Sequence, residues 1–283
     1  FWVVLSLVIT VLGLGSLAWQ GLNLHIDFTG GTILDVKFEQ PVSIEKIREG
    51  LGAEHKDAEI QATSDRSFYI KTLPVSEEQR LELWKNLEAK AGKIAAKSNE
   101  VVQPAISKEL TRMALYALII ASILQLIYIT VRFEFKFAVT AIVALLHDAL
   151  ILIGIFSIFR WQVAGSFVAA TLTVVGYSMH DTIIIFDRIR ENLKLRKKET
   201  LTELVNNSIN HTLTRTIKTV MTTLLALTAI LIFGGYTIRD FAIALIIGIV
   251  SGTYSSIFIA SAMWLWWVER ERTKRRKAAV AKG

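Results

Sequence analysis

Asp181 lies within an apolar run, residues 169–183, several positions before the basic boundary at Arg188. A carboxylate at the middle of a membrane-spanning helix costs about 2.5–3.5 kcal/mol on insertion scales, so it marks a function or an anchor. Desolvation also moves an aspartate toward neutral pH, where it can load and release a proton. Thr173, Tyr177 and Asp181 are four residues apart and share one helix face, which can form a hydrogen-bonded line through a bundle. Arg215 opens the next apolar run, on the same face as Thr219 and Thr222 or Thr223. A guanidinium stays charged at any relevant pH. Asp181 and Arg215 together therefore suit a proton relay, one group titrating and the other biasing it. The plainer alternatives remain beside it: Asp181 as an interhelical anchor, and Arg215 snorkelling to lipid phosphates.

His147 and Asp148 interrupt another apolar run near its middle. Neighbouring residues point to different helix faces, so the two are not expected to act as one unit. Asp148 reads first as a packing anchor and second as a member of the polar network. His180 points about 100° away from Asp181 and reads as a satisfied buried imidazole rather than a proton carrier. Asp187 and Arg188 read as local boundary pairing. Gly248, Gly252 and Ser256 form a small-residue face flanked by Ser251 and Ser255, suited to packing within the bundle rather than to dimerisation. Gly176 and Ser178 also admit a close neighbour. In Asp27-Phe28-Thr29-Gly30-Gly31-Thr32, the residues Asp27, Gly30 and Gly31 read as a structural hinge. As a phosphate loop this stretch lacks both a Lys-Ser/Thr pair and a following helix.

The elements that position these groups follow from composition. The chain has 283 residues, 52% hydrophobic and 20% charged, with a mean hydropathy of +0.45, which excludes a water-soluble monomer. It has no Cys, so disulfides, thiolate metal sites and thiol catalysis are excluded. His25 and His55 lack ligand spacing, and no nucleophile–base pair is evident, so neither a metal, a cofactor nor an enzymatic reaction is expected. Six stretches approach the roughly 20 apolar residues that a span needs. They cover about residues 1–19, 113–131, 137–159, 167–186, 217–233 and 241–267. The first reads as a retained span rather than a signal peptide, and Phe1 in place of Met suggests that a short leading piece is absent.

Residues 21–110 carry 15 acidic and 12 basic side chains, leaving 10 acidic and 20 basic for the rest. Those bases cluster at Arg132 and Lys136, at Arg188 to Lys198, and at Arg270 to Lys277. The positive-inside rule makes these loops and both termini cytoplasmic and residues 21–110 extracytoplasmic. The basic tail lacks interleaved aromatics and follows Trp264, Trp266 and Trp267, so no nucleic acid is expected.

Within the outer segment, residues 32–39 alternate as a strand. Ser43 starts a helix that Gly52 stops, and residues 58–63 and 67–71 read as strands. Ser76 caps a second helix to about Lys93, with Glu78 and Gln79 in its first turn, and a last strand is expected over residues 100–102. The segment from Lys198 to Asn210 reads as an amphipathic interfacial helix. The expected fold is a polytopic α-helical membrane protein with six transmembrane helices and one α+β ferredoxin-like extracytoplasmic domain. Its parts are residues 1–20 (first helix), 21–110 (outer domain), 111–267 (helices two to six, with a cytoplasmic loop at 188–214) and 268–283 (basic cytoplasmic tail).

The stretch Gly176-Tyr177-Ser178-Met179-His180-Asp181-Thr182-Ile183, followed by Asp187-Arg188-Ile189-Arg190-Glu191, resembles the SecF family of protein-export membrane subunits. Asp27 to Thr32, Leu146-His147-Asp148, Thr214-Arg215-Thr216 and residues 241–256 extend the resemblance over nearly the whole chain. It implies a bundle of the RND superfamily type in the bacterial cytoplasmic membrane. It also implies SecD and the SecYEG channel as partners, and unfolded polypeptide moved late in export by the proton-motive force. By motif, the family's intramembrane Asp falls on Asp181 and its facing Arg on Arg215. The chain departs from the family's pattern at His180, commonly Asn, and at Gln103 and Ser107, often Gly. The first can add a titratable group, and the other two put the flexibility of that junction in question. A purely structural subunit and a small-molecule transporter half are the competing functions.

Overall fold

In the computed structural model, residues 2–55, 58–102, 104–195, 199–235 and 238–280 are described. Expectations attached to Gln103 and to residues 196–198 lie outside them. The helices in chain order are α1 (Trp2–Gln20), the single turn α2 (Ile26–Thr29), α3 (Ile44–Leu51), α4 (Glu77–Ala91), α5 (Pro104–Arg132), α6 (Phe135–Phe159), α7 (Gly165–Leu195), α8 (Leu201–Phe233), α9 (Arg239–Ser255) and α10 (Ser261–Val280). The strands are β1 (Asn23–Leu24), β2 (Gly31–Phe38), β3 (Glu59–Ser64), β4 (Ser67–Thr72), β5 (Ile94–Val102) and β6 (Gln162–Val163). The chain divides into two compact units, one formed by residues 24–115 and the other by residues 1–23 and 116–283.

Residues 24–115 build a four-stranded antiparallel sheet in the order β3-β4-β2-β5, with α3 and α4 against one face. This is a ferredoxin-like arrangement. Alternation along β2 sends Leu34, Val36 and Phe38 into the core, where they meet Phe68 and Ile70 of β4, Ile47 and Leu51 of α3, and Leu83, Trp84 and Leu87 of α4. Gly50 lets the two helices cross closely, since a Cβ there would lie 3.0 Å from Leu87. Ser76 and Gln79 form a capping box at the start of α4. Ser43 precedes α3 without bonding a helix amide. Its hydroxyl and the Glu45 backbone N–H instead hold the Glu45 carboxyl below the usual carboxylate range, the backbone bond being the larger cause.

Near the start of this unit the expected hinge contains the turn α2. Asp27 pairs with His25 (Nδ1–Oδ2 3.3 Å), so His25 is not solitary. The Asp27 N–H donates to His25 Nδ1 (3.4 Å). Gly30 and Gly31 both have positive φ, 71° and 148°. A Cβ on Gly31 would lie 2.8 Å from the Thr72 carbonyl, so any side chain is blocked there.

The other unit holds the helical bundle. Among the described residues of the whole chain, six helices are long and apolar enough to cross a membrane, the sixth running from Arg239 to Arg275 through α9, a π-helical segment (Ser256–Ala260) and α10. α9 packs on α6, α7 and α8, and α1 packs along α6. The seam between α7 and α9 repeats every four residues: Gly248 against Val174, Gly252 against Ser178, and Ser256 bonded to Thr182 (2.7 Å). Gly13 of α1 crosses Gly154 of α6 so closely that a Cβ on either would lie 2.8 Å from the other's Cα.

α8 corrects the expected interfacial helix. Residues 201–210 are the first turns of one continuous 33-residue helix, begun by a Thr200–Glu203 capping box. At the end of the bundle where α7 stops and α8 starts, Arg188 bonds Glu191 and His211 (both 2.7 Å) rather than Asp187. Lys136 pairs with Glu271.

Candidate functional site

Two carboxylates lie inside the bundle, each 1% exposed. Their surroundings differ. Asp181 on α7 accepts one hydrogen bond, from Thr253 Oγ1 of α9 to Oδ2 (3.2 Å). Its Oδ1 has no hydrogen-bond partner. His180 Nδ1 is 3.8 Å from that oxygen, beyond hydrogen-bond length.

Asp148 on α6 is saturated. Oδ2 accepts from Ser178 of α7 and from Ser255 of α9 (both 2.7 Å), and Oδ1 accepts from Ser251 of α9 (2.9 Å). His147 Nδ1 lies 3.3 Å from Oδ1, and His147 Nε2 bonds the Ser6 hydroxyl of α1. Three helices thus meet at Asp148, and His147 adds α1. One expectation is corrected here. His147 and Asp148 do form one unit, with His147 Nδ1 3.3 Å from Asp148 Oδ1. Asp148 itself holds α7 and α9, as expected of an anchor, and does so through hydrogen bonds.

The expected line of Thr173, Tyr177 and Asp181 is not continuous. Thr173 is exposed and bonds its own helix at the Ala169 carbonyl (2.8 Å), while the Tyr177 hydroxyl crosses to Thr223 of α8 (3.1 Å). Helical spacing places three residues on one side of a helix, but each reaches a different neighbour. Arg215 is exposed, and among the described residues it makes no ion pair with Asp181. Thr219 is half-buried and bonds the Arg215 carbonyl (3.0 Å). His180 is the other reversal: its side chain is 57% exposed instead of buried. Gly248, Gly252 and Ser256 line the α7–α9 seam described above.

Sequence reasoning missed Thr253 and Ser6, since a hydroxyl in an apolar run reads as neutral. It gave Ser178, Ser251 and Ser255 only a packing role. The available signal was the four-residue interval between Ser251 and Ser255, which puts both hydroxyls on one face of α9.

Chemically, the arrangement offers one buried carboxylate with spare acceptor capacity beside one that has none. Two family models match the chain: one described as Protein export membrane protein SecD/SecF, C-terminal, over residues 83–270, and one described as the SecD/SecF GG Motif, over residues 15–42. The chain belongs to the SecD/SecF family. The protein translocase subunit SecF of Sebaldella termitidis is 42% identical over 267 residues, covering 92% of this chain and 87% of that one. SecF of Pseudomonas aeruginosa is 42% identical over 268 residues, with the same coverage. The SecDF subunit of Thermus thermophilus is 40% identical over 97% of this chain, which spans 38% of that longer protein. Among solved structures, the crystal structure of SecDF from Thermus thermophilus, titled a translocon-associated membrane protein, matches with a TM-score of 0.85 at 40% identity, over 94% of this chain and 37% of that one. The super-membrane-facing form of SecDF matches with a TM-score of 0.72 at 37% identity, over 97% and 38%. The GG-motif match contains Asp27, Gly30 and Gly31, and the larger match contains both buried carboxylates and Arg215.

Proposed function

We propose that this SecF-type chain is an accessory subunit of the Sec protein translocase that acts with SecD and promotes late steps of polypeptide export using the proton-motive force. The observation that carries the site assignment is Asp181, fully buried among helices with Oδ1 lacking a hydrogen-bond partner. A buried carboxylate with a free oxygen is best satisfied when it holds a proton, and an unprotonated one must find a partner. Proton arrival and departure therefore favour different packings of α7 against α9. One charge moved through 100 mV supplies about 2.3 kcal/mol. That is enough to change a two-state equilibrium by a factor on the order of fifty.

Arg215, exposed on α8, is the fixed charge that approaches Asp181 in one of these packings or faces the second bundle. Tyr177, bonded to Thr223, ties α7 to α8 near it, and Thr219 bonds the Arg215 carbonyl within α8. The relatives in which a SecD part and a SecF part share one chain support SecD as the partner of this bundle. The SecYEG channel and the unfolded chain on its far side complete the working complex. Bases gathered near one end of the bundle, among them Arg188, Lys194 and Arg272, support a bacterial cytoplasmic membrane location with both termini inside and residues 21–110 outside. Asp27, Gly30 and Gly31 act as the hinge at the base of that outer domain.

The test is secretion in cells whose sole copy of this chain carries Asp181→Asn, compared with wild type at equal membrane abundance. Export is expected to fail while assembly with SecD persists. Unchanged export would make Asp181 an anchor and the chain a structural subunit that carries no protons.

A further inference from the structure

Asp148, which the proposed proton step does not use, accepts three serine hydroxyl bonds and lies beside the His147 imidazole. Its bonds are distributed in a particular way. Ser178 stands three residues before Asp181 on α7, and Ser251 and Ser255 stand two residues either side of Thr253 on α9. One carboxylate therefore grips α7 beside Asp181 and α9 on both sides of the hydroxyl that bonds Asp181. The grip coincides with a close approach of the two helices, where Gly252 meets Ser178. It also lies where α9 gives way to the π-helical segment, a rare irregularity that often sits at functional sites. Ser261 bonds the Ser256 carbonyl (2.9 Å), so the segment's backbone is supported by a side chain.

We infer that Asp148 is a positioning residue for Asp181: by holding Ser178, Ser251 and Ser255 it fixes the separation between Asp181 and Thr253, and so sets the proton affinity of Asp181. The inference rests on the reading of Asp181 as the proton carrier. Asp148 works as a three-hydroxyl clamp, with His147 and Ser6 extending the hold to α1. Other titratable or charged groups on the packed helices include Lys136 and His147 on α6, Tyr177, His180 and Asp187 on α7, Asp240 and Tyr254 on α9, the latter also meeting Ser6, and His211, Arg215 and Lys218, all exposed, on α8. α1 contributes none.

The experiment uses the full chain in complex with SecD in lipid vesicles and follows the infrared carboxyl band that Asp181→Asn abolishes, titrated against pH. The double variant Ser251→Ala/Ser255→Ala keeps every charge and cuts α9 from the clamp. It is expected to shift the midpoint of that band by about one pH unit, a tenfold change in proton affinity. Asp148→Asn is expected to shift it at least as far. Ser16→Ala removes a serine–serine bond to Ser157 between α1 and α6, away from the clamp, and should leave the midpoint in place. Should the double variant fail to assemble, Ser255→Ala alone and Asp148→Asn carry the test. An unmoved midpoint in the assembled clamp variants overturns the inference and leaves the proton reading intact. A wild-type band that does not titrate overturns both.

Discussion

Two aspartates of equal burial have opposite hydrogen-bond environments. Asp148 meets three hydroxyls and an imidazole. Asp181 has Thr253 and an oxygen with no hydrogen bond. Thr253 should therefore matter out of proportion to its size. Thr253→Val preserves shape and removes the donor, and Thr253→Ser preserves the donor. Interhelical hydrogen bonds in membranes are worth about 0.6–1.7 kcal/mol. At equal abundance Thr253→Val is expected to slow proton-dependent export by roughly 3- to 20-fold, with Thr253→Ser near wild type. Equal rates for all three would show that the bond does not act on Asp181.

At the scale of elements, small residues decide which helices approach. Gly13 and Gly15 lie on the same helix two positions apart, but a Cβ at Gly13 would collide with Gly154 backbone while one at Gly15 would meet nothing within 4 Å. Backbone cannot move aside as a flexible side chain can, so Gly13→Ala should cost about 1–3 kcal/mol. Gly15→Ala should be neutral or gain up to about 1 kcal/mol from helix propensity. Denaturant unfolding of the two variants in micelles measures this directly, and equal stability would mean that α1 and α6 do not cross there.

The same elements show what a sequence reveals. Spans were legible because length and apolarity are properties of one helix, and β2 and α4 because alternation and a Ser-x-x-Gln cap are local. β5 was expected over residues 100–102 but runs from Ile94, because Ala95, Ala96, Lys97, Ser98 and Asn99 have little strand preference and pairing with β2 imposes the conformation. The polar start of α8, through Asn206, Asn207 and Asn210, hid the continuity of a helix whose capping box at Thr200 and Glu203 was nonetheless readable. The Asp148 clamp was hidden for a different reason: its members come from four helices, and periodicity on one helix says nothing about which neighbour a hydroxyl meets.

At the scale of the molecule, the bundle exposes a surface poorly suited to lipid. Thr173, Gly176 and His180 lie in line along α7, all exposed, and Arg215 is exposed on α8. α1 and α5, by contrast, show lipid apolar side chains such as Val4 and Ile123. Polar residues within spans normally face other helices or a hydrated cavity, and Gly176 leaves room for one, since a Cβ there would meet nothing within 4 Å. A second bundle of the SecD type fits that requirement, whether it arrives as a separate chain or as part of a fused one. The chain has no cysteine, so single-cysteine spin labels can be placed without background. A label on Gly176→Cys should collide freely with dissolved oxygen when the chain is alone in vesicles, and several-fold less when SecD is present. A label on Val4→Cys, on the outer side of α1, should report lipid in both cases. Oxygen access at Gly176→Cys that does not change with SecD would place the partner elsewhere and leave His180 facing lipid, a cost the sequence would have had no reason to carry.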